Sequence, residues 1–271
     1  MKTSDRIYVA GHTGLIGSAL VRRLESAGFS NLLLPKHDDL ALTEVAAVKK
    51  FFEEQKPSYV LLAAGKVGGI IENRDFPMDL MTTNLSIQLN VLGAAAANNV
   101  RGLIMFGSSC MYPRECEQPM TEDILLSGKP EPTSIAYAMA KLAGVHMCLA
   151  YNRQNSGQTF IPLIPNSAFG PNDNFDEKSG HVLSVLLRRF HEAKESGESE
   201  VTIWGSGTPR REFVYSDDIA DAAIHIMRHI GPATVLPINV GIGSDLSIND
   251  LAVQIAEVVG FDGTIKLDRT K

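Results

Sequence analysis

Tyr137 and Lys141 stand four residues apart in Tyr137-Ala138-Met139-Ala140-Lys141, so a helix through them puts a phenol and an ammonium on one face. Upstream, Ser108 and Ser109 follow the apolar run Leu103-Ile104-Met105-Phe106-Gly107, where a buried strand would end. Together these groups can exchange a proton with a carbonyl oxygen. A free phenol ionises near about pH 10, and an adjacent ammonium favours the phenolate, so the spacing predicts a lowered pKa for Tyr137. Ser108 or Ser109 would hydrogen-bond the oxygen as charge develops on it. Y-x-x-x-K alone is common on solvated helices, so its meaning depends on the elements around it.

The first of those elements is N-terminal. Ile7-Tyr8-Val9-Ala10 is a short apolar run, Gly11, Gly14 and Gly17 follow it, and Ile16, Leu20 and Leu24 then recur at helical spacing up to Gly28. In such a strand, turn and helix, small residues let the backbone approach a pyrophosphate, and the first helical N–H groups meet its charge. The segment Gly11, His12, Thr13, Gly14, Leu15, Ile16 and Gly17 is therefore a candidate dinucleotide site, with close helix–strand packing as the competing reason for the glycines. After Leu32-Leu33-Leu34, where a carboxylate would hold the ribose of NAD, the chain has Pro35, Lys36 and His37. Those cations suit a 2′-phosphate and favour NADP; a solvated loop is the alternative. Lys141 would also hold the cofactor ribose, and an oxidised nicotinamide would draw further on the Tyr137 proton.

Further apolar runs at Tyr59-Val60-Leu61-Leu62-Ala63, 103–106 and Thr159-Phe160-Ile161 alternate with helical stretches at 43–55, 79–98 and 136–154. This alternation predicts an α/β fold, a Rossmann-type doubly wound parallel sheet. Past Gly170-Pro171 the regularity falls. A helix near 181–194, the strand Val201-Thr202-Ile203-Trp204 and a loop with Pro209-Arg210-Arg211 suggest a smaller C-terminal substrate-binding lobe. The expected division is 1–170 for the NADP-binding domain, with a return segment at about 213–245 that includes Ile238-Asn239-Val240, and 171–271 mainly for the lobe. Ser247-Ile248-Asn249-Asp250 reads as a capped start for a helix over 248–259.

With 271 residues, 44% of them apolar, the chain can bury a large core. Its formal net charge of -6 argues against nucleic acid or an anionic membrane as a partner. No apolar run approaches the roughly 18 residues of a bilayer span. Cys110, Cys116 and Cys148 are odd in number and lack zinc-type spacing, which predicts reduced thiols, no metal and, with no apolar signal core at the start, a cytoplasmic location.

The glycine turn, Gly107-Ser108-Ser109 and the Tyr137/Lys141 pair resemble the extended short-chain dehydrogenase/reductase family. Within it the chain is similar to the GDP-L-fucose synthases, through Gly11-His12-Thr13-Gly14, Lys66-Val67-Gly68-Gly69-Ile70, Ser109-Cys110-Met111-Tyr112-Pro113, Tyr151-Asn152-Arg153-Gln154, His181-Val182, Leu187-Arg188-Arg189-Phe190, Trp204-Gly205-Ser206-Gly207-Thr208-Pro209 and Arg211-Glu212-Phe213. The resemblance implies NADPH-dependent 3,5-epimerisation and 4-reduction of GDP-4-keto-6-deoxy-D-mannose, with Cys110 and His181 as the epimerising acid/base pair. It places Pro165, Asn166, Ser167, Ala168 and His181 at the cofactor, and Arg189, Trp204 and Arg211 on the GDP-sugar. It also implies a homodimer paired through the helices at 79–98 and 136–154. Colitose-type GDP-keto-sugar enzymes and 4-epimerases with tightly bound NAD are the neighbouring activities. Thr13 stands where many members carry arginine, Ser167 where an asparagine is usual, and Lys271 falls short of the family's C-terminal segment, so the lobe is expected to be truncated.

Overall fold

The computed structural model describes residues 1–155, 157–229 and 236–270. A six-stranded, wholly parallel sheet organises the chain: β1 (Ile7–Ala10), β2 (Leu32–Leu33), β3 (Tyr59–Leu62), β4 (Gly102–Phe106), β5 (Thr159–Pro165) and β10 (Ile238–Val240), in the order β10-β5-β4-β3-β1-β2. The chain leaves β1 towards β2 on one side and returns through β3 on the other, so a switch point lies at the C-terminal end of β1. The apolar runs that look continuous in sequence split by strand alternation. Val60, Leu62, Leu103 and Met105 face α2 (Val45–Gln55), α4 (Pro77–Ala97) and α5 (Ile135–Gln154), while Leu61, Ile104 and Phe106 face α1 (Leu15–Ser26) and α7 (Ser216–His229).

The second strand is shorter than its three leucines suggest. Only Leu32 and Leu33 pair with β1, because Lys36 starts a turn closed by the Leu40 N–H donating to its carbonyl at 3.0 Å. A short helix α3 (Ile70–Asp75) precedes α4. After β5 come β6 (Ser167–Phe169), α6 (Val182–Ser196), β7 (Glu200–Trp204), β8 (Arg210–Arg211) and β9 (Phe213–Tyr215). β9 pairs in parallel with β6, and α7 locks onto α1 through a bidentate Arg23–Asp221 pair at 2.7 and 2.8 Å and an Arg22–Asp217 bond at 2.5 Å.

β10 then joins β5, with Ile238 opposite Leu163. Of the expected return segment, residues 230–235 lie outside the described residues. The remaining elements, β11 (Leu246–Ser247), α8 (Ile248–Val259) and β12 (Thr264–Asp268), share a separate core with α6 and β7, centred on Phe190 edge-on to Phe261 at 5.5 Å. Ser247 caps α8, its hydroxyl accepting the Asp250 N–H at 3.0 Å.

Candidate active site

At the switch point the glycine turn shows why each glycine is there. Gly11 has φ +82, and a Cβ on it would sit 2.7 Å from the Ala64 backbone. A Cβ at Gly17 would fall 1.9 Å from the Gly11 carbonyl oxygen, so the first turn of α1 lies directly on the loop. Gly14 differs: a Cβ there meets only that same oxygen, at 3.6 Å. The protein itself does not demand glycine at 14. The space lies in front of the α1 N-terminus, where Gly14 is the N-cap and no side chain satisfies the first N–H groups. An anion fits there.

β4 ends at Phe106, and the chain turns through Gly107 into a short 3-10 turn, Ser109–Met111, capped by Ser108, whose hydroxyl accepts the Cys110 N–H at 3.3 Å. The turn presents Cys110 to solvent and buries Met111 and Tyr112. Tyr112 donates to Asn239 Oδ1 at 2.6 Å, which ties the thiol-bearing turn to β10. From the other side, α5 brings Tyr137 and Lys141 one turn apart. The Tyr137 phenol lies close to Ser108 and Cys110, both of which bear on its ionisation. Lys141 is 7% exposed and its Nζ donates to the Phe106 carbonyl at 2.9 Å, 5.8 Å from the centre of the Tyr137 ring.

The phenol is the point at which the sequence reading is corrected. Burial pushes Tyr137 above its ordinary value, and the Cys110 thiol adds to that, while the Ser108 hydroxyl only opposes it. The Lys141 ammonium does not lower it, because that group is spent on the strand-end carbonyl and is itself pushed down to about 8 by burial. At neutral pH Tyr137 is a phenol and Lys141 a cation. Lys141 keeps donors beyond the one given to Phe106, and its Nζ lies 3.5 Å from where a Cβ on Gly65 would sit. Asn84 also stands there: it is buried, its amide donates to the Lys66 and Leu80 carbonyls at 2.7 Å each, and its Oδ1 lies 2.7 Å from the Cβ position of Gly65. Sequence reading passed over Asn84; its signal is a polar residue in the buried stripe Leu80, Asn84, Ile87, Val91 of α4.

The other expected residues divide between two places. Lys36 and His37 are exposed just past β2, beside β1. Pro165 ends β5 opposite Val240; the Asn166 amide donates to Glu212 at 2.7 Å; Ser167 and Ala168 pair with Phe213 and Val214, and Ala168 packs on the α1/α7 core. His12 is half-buried and Thr13 exposed. His181 is the exposed N-cap of α6, and no hydrogen bond joins it to Cys110 among the described residues. Its loop reaches segment 65–70 through the Gly69 N–H, which donates to the Ser179 carbonyl at 3.1 Å. Arg189 and Trp204 are together, the guanidinium 5.7 Å from the indole and donating to the Thr202 carbonyl at 2.8 Å. Arg211 lies on the exposed β8–β11 ribbon.

A parallel sheet with a glycine turn at its switch point, and a Ser–Tyr–Lys cluster where β4 meets α5, define a dinucleotide-dependent enzyme of the short-chain dehydrogenase/reductase type. Residues 7–241 match the family model described as the NAD dependent epimerase/dehydratase family, and the chain belongs to that family. GDP-L-fucose synthase 1 of Arabidopsis thaliana is 48% identical over 99% of this chain and 82% of its own length. Among solved structures, a GDP-mannoheptose C4 reductase from Campylobacter jejuni with NADP bound is 39% identical with a TM-score of 0.91, covering 99% of this chain and 88% of that one. An NADP-bound GDP-L-fucose synthetase from Naegleria fowleri also superposes with a TM-score of 0.91 at 30% identity, over 100% of this chain and 82% of its own. Among the described residues no helix is long and apolar enough to cross a membrane.

Proposed function

We propose that this chain converts GDP-4-keto-6-deoxy-D-mannose to GDP-L-fucose by epimerising C3 and C5 and reducing C4. The observation that carries the reading is the convergence of Ser108, Cys110 and Tyr137 at one strand end, with Lys141 directly behind. NADP(H) fits the residues present: the uncapped N-terminus of α1 and the open face of Gly14 suit a pyrophosphate, Lys141 has donors for a ribose, and Lys36 with His37 suit a 2′-phosphate. When bound, NADPH supplies the hydride for C4. Tyr137, held as a phenol by burial, gives its proton to the C4 oxygen, and Ser108 hydrogen-bonds that oxygen as its charge grows.

Both epimerised carbons flank the ketone, so loss of their protons gives an enolate that Ser108 and Tyr137 stabilise. Inversion needs removal from one face and return to the other. Cys110, exposed beside Tyr137, takes one of those roles and His181 the other. In this reading Arg189, Trp204 and Arg211 hold the GDP moiety, and the core shared by α6, α8 and β7 supports a substrate lobe. A homodimer through α4 and α5 is supported by Leu89, Ile135 and Met139, all large, apolar and exposed on those helices. Light scattering giving the mass of one chain would refute that pairing. The three free cysteines support a cytoplasmic site of action.

Incubation of the purified chain with GDP-4-keto-6-deoxy-D-mannose and NADPH in deuterated water tests the reaction. NMR should show GDP-L-fucose with deuterium at C3 and C5. A C4 reductase without epimerisation is the second reading, favoured by the likeness to the Campylobacter GDP-mannoheptose C4 reductase. It would oxidise NADPH and leave protium at both carbons.

A further inference from the structure

Two segments far apart in sequence converge on one carboxylate. Oε1 of Glu212 accepts the N–H groups of Ile242 at 2.6 Å and Gly243 at 2.7 Å, and Oε2 accepts the Asn166 amide at 2.7 Å. Asn166 is the residue after β5, and 241–243 follow β10. Glu212 itself sits between β8 and β9, immediately after Arg211. The fit is tight: a Cβ at Gly241 would come within 2.4 Å of the Glu212 carboxylate, and the N–H groups of Ile242 and Gly243 converge on one of its oxygens. The Glu212 carbonyl also accepts the Ser167 N–H at 3.2 Å.

On the other side of Arg211 the same segment is held again. Arg210 donates to the Asp245 side chain at 2.8 Å and to its carbonyl at 2.9 Å, and Arg211 pairs with Leu246. Arg211 is therefore displayed between two clasps, one of which fastens its ribbon to the exits of β5 and β10, the edge of the sheet that carries the reactive groups. Charge-assisted bonds from three donors are far more than a solvated turn requires. Among the described residues no ion pair joins Glu212 to Arg211, whose guanidinium donates to the Arg210 carbonyl at 2.7 Å and keeps further donors for an anion.

We infer that Glu212 is a positioning residue: it fixes Arg211 relative to the ends of β5 and β10, and through Arg211 it sets affinity for the diphosphate of the nucleotide-sugar. The inference rests on Arg211 holding that diphosphate, as proposed above. Glu212 touches no reacting atom, so its loss should act on substrate binding and leave the chemical step alone.

The test compares Glu212→Ala and Glu212→Gln with the unaltered chain. Glu212→Ala should raise KM for the GDP-keto-sugar about tenfold, the loss expected for one well-placed charged contact at ~1.4 kcal/mol. Its kcat should stay within about threefold, while amide exchange at 242 and 243 accelerates. Glu212→Gln should fall between, since its carbonyl oxygen still accepts the two backbone N–H groups and only the Asn166 arm is disturbed. It also serves if the alanine variant fails to fold. Unchanged exchange at 242 and 243 would overturn the clasp, and faster exchange with unchanged KM would overturn its link to binding. GDP affinity by calorimetry separates this from the reaction assigned above. If the unaltered chain does not turn over the keto-sugar, a tenfold loss of GDP affinity in Glu212→Ala still supports the inference and equal GDP affinity refutes it.

Discussion

Burial, more than any neighbouring charge, decides the ionisation of Tyr137 and Lys141, the two residues proposed to carry the proton and hold the cofactor. With its pKa raised, Tyr137 carries a proton at neutral pH, the form needed to complete a reduction. Tyr137→Phe should lower turnover by roughly 100-fold to 10,000-fold, the usual contribution of a general acid, with NADPH affinity intact; near-normal turnover would remove the phenol from the mechanism. Lys141 shifts the other way, from 10.5 to about 8 because burial disfavours its charge, so the ammonium is lost as pH rises through about 8. The kcat/KM profile should show an alkaline limb near that pH, absent in Lys141→Met. The sign for stability is opposite: between about 8 and 10.5 the unfolded chain binds the proton and the folded chain does not, so this group's contribution to stability rises with pH across that window. Urea midpoints measured across the same range, compared with those of Lys141→Met, check the sign.

The elements explain what was readable in the residues and what was not. The glycine turn was legible as a strand, tight turn and helix, but the separate duties of its glycines emerge only from where each Cβ would go. Gly17→Ala forces an atom to within 1.9 Å of the Gly11 oxygen and should destabilise the fold by about 1–3 kcal/mol. Gly14→Ala, whose Cβ meets nothing closer than 3.6 Å, should unfold at the temperature of the unaltered chain yet bind NADPH more weakly. Thermal melts with and without NADPH distinguish the two, and equal NADPH affinity in Gly14→Ala would argue against a pyrophosphate at that turn. The long strands and α4 and α5 were legible because their apolar runs and helical spacing exceed one turn. β8, β9 and β11 were not, because two or three residues carry no period and their partners lie far off in sequence. The Tyr137/Lys141 spacing likewise set the phenol and the ammonium one helical turn apart, whereas the direction of the Tyr137 shift depends on burial, which spacing does not encode.

At the scale of the whole molecule, the separate core of α6, α8 and β7 predicts that binding of the two ligands can be damaged independently. Phe190 is fully buried against Phe261, and Phe190→Ala should cost about 3–5 kcal/mol. Its effect should appear in KM for the GDP-sugar, with NADPH affinity retained; a parallel loss of NADPH binding would mean that the lobes stand or fall together.

The parallel pairing of Ile238 with Leu163 has a bearing on how the molecule comes into being. The last strand of the central sheet is synthesised some seventy residues after its neighbour, once α6, β7 and α7 have been made. A nascent chain halted near residue 170 would expose the bare margin of β5, a ready template for strand exchange with another unfinished copy. The enzyme's foundation is thus laid early but sealed late: α6 and β7 emerge before the closing strand, while β11, α8 and β12, which complete their core, follow it.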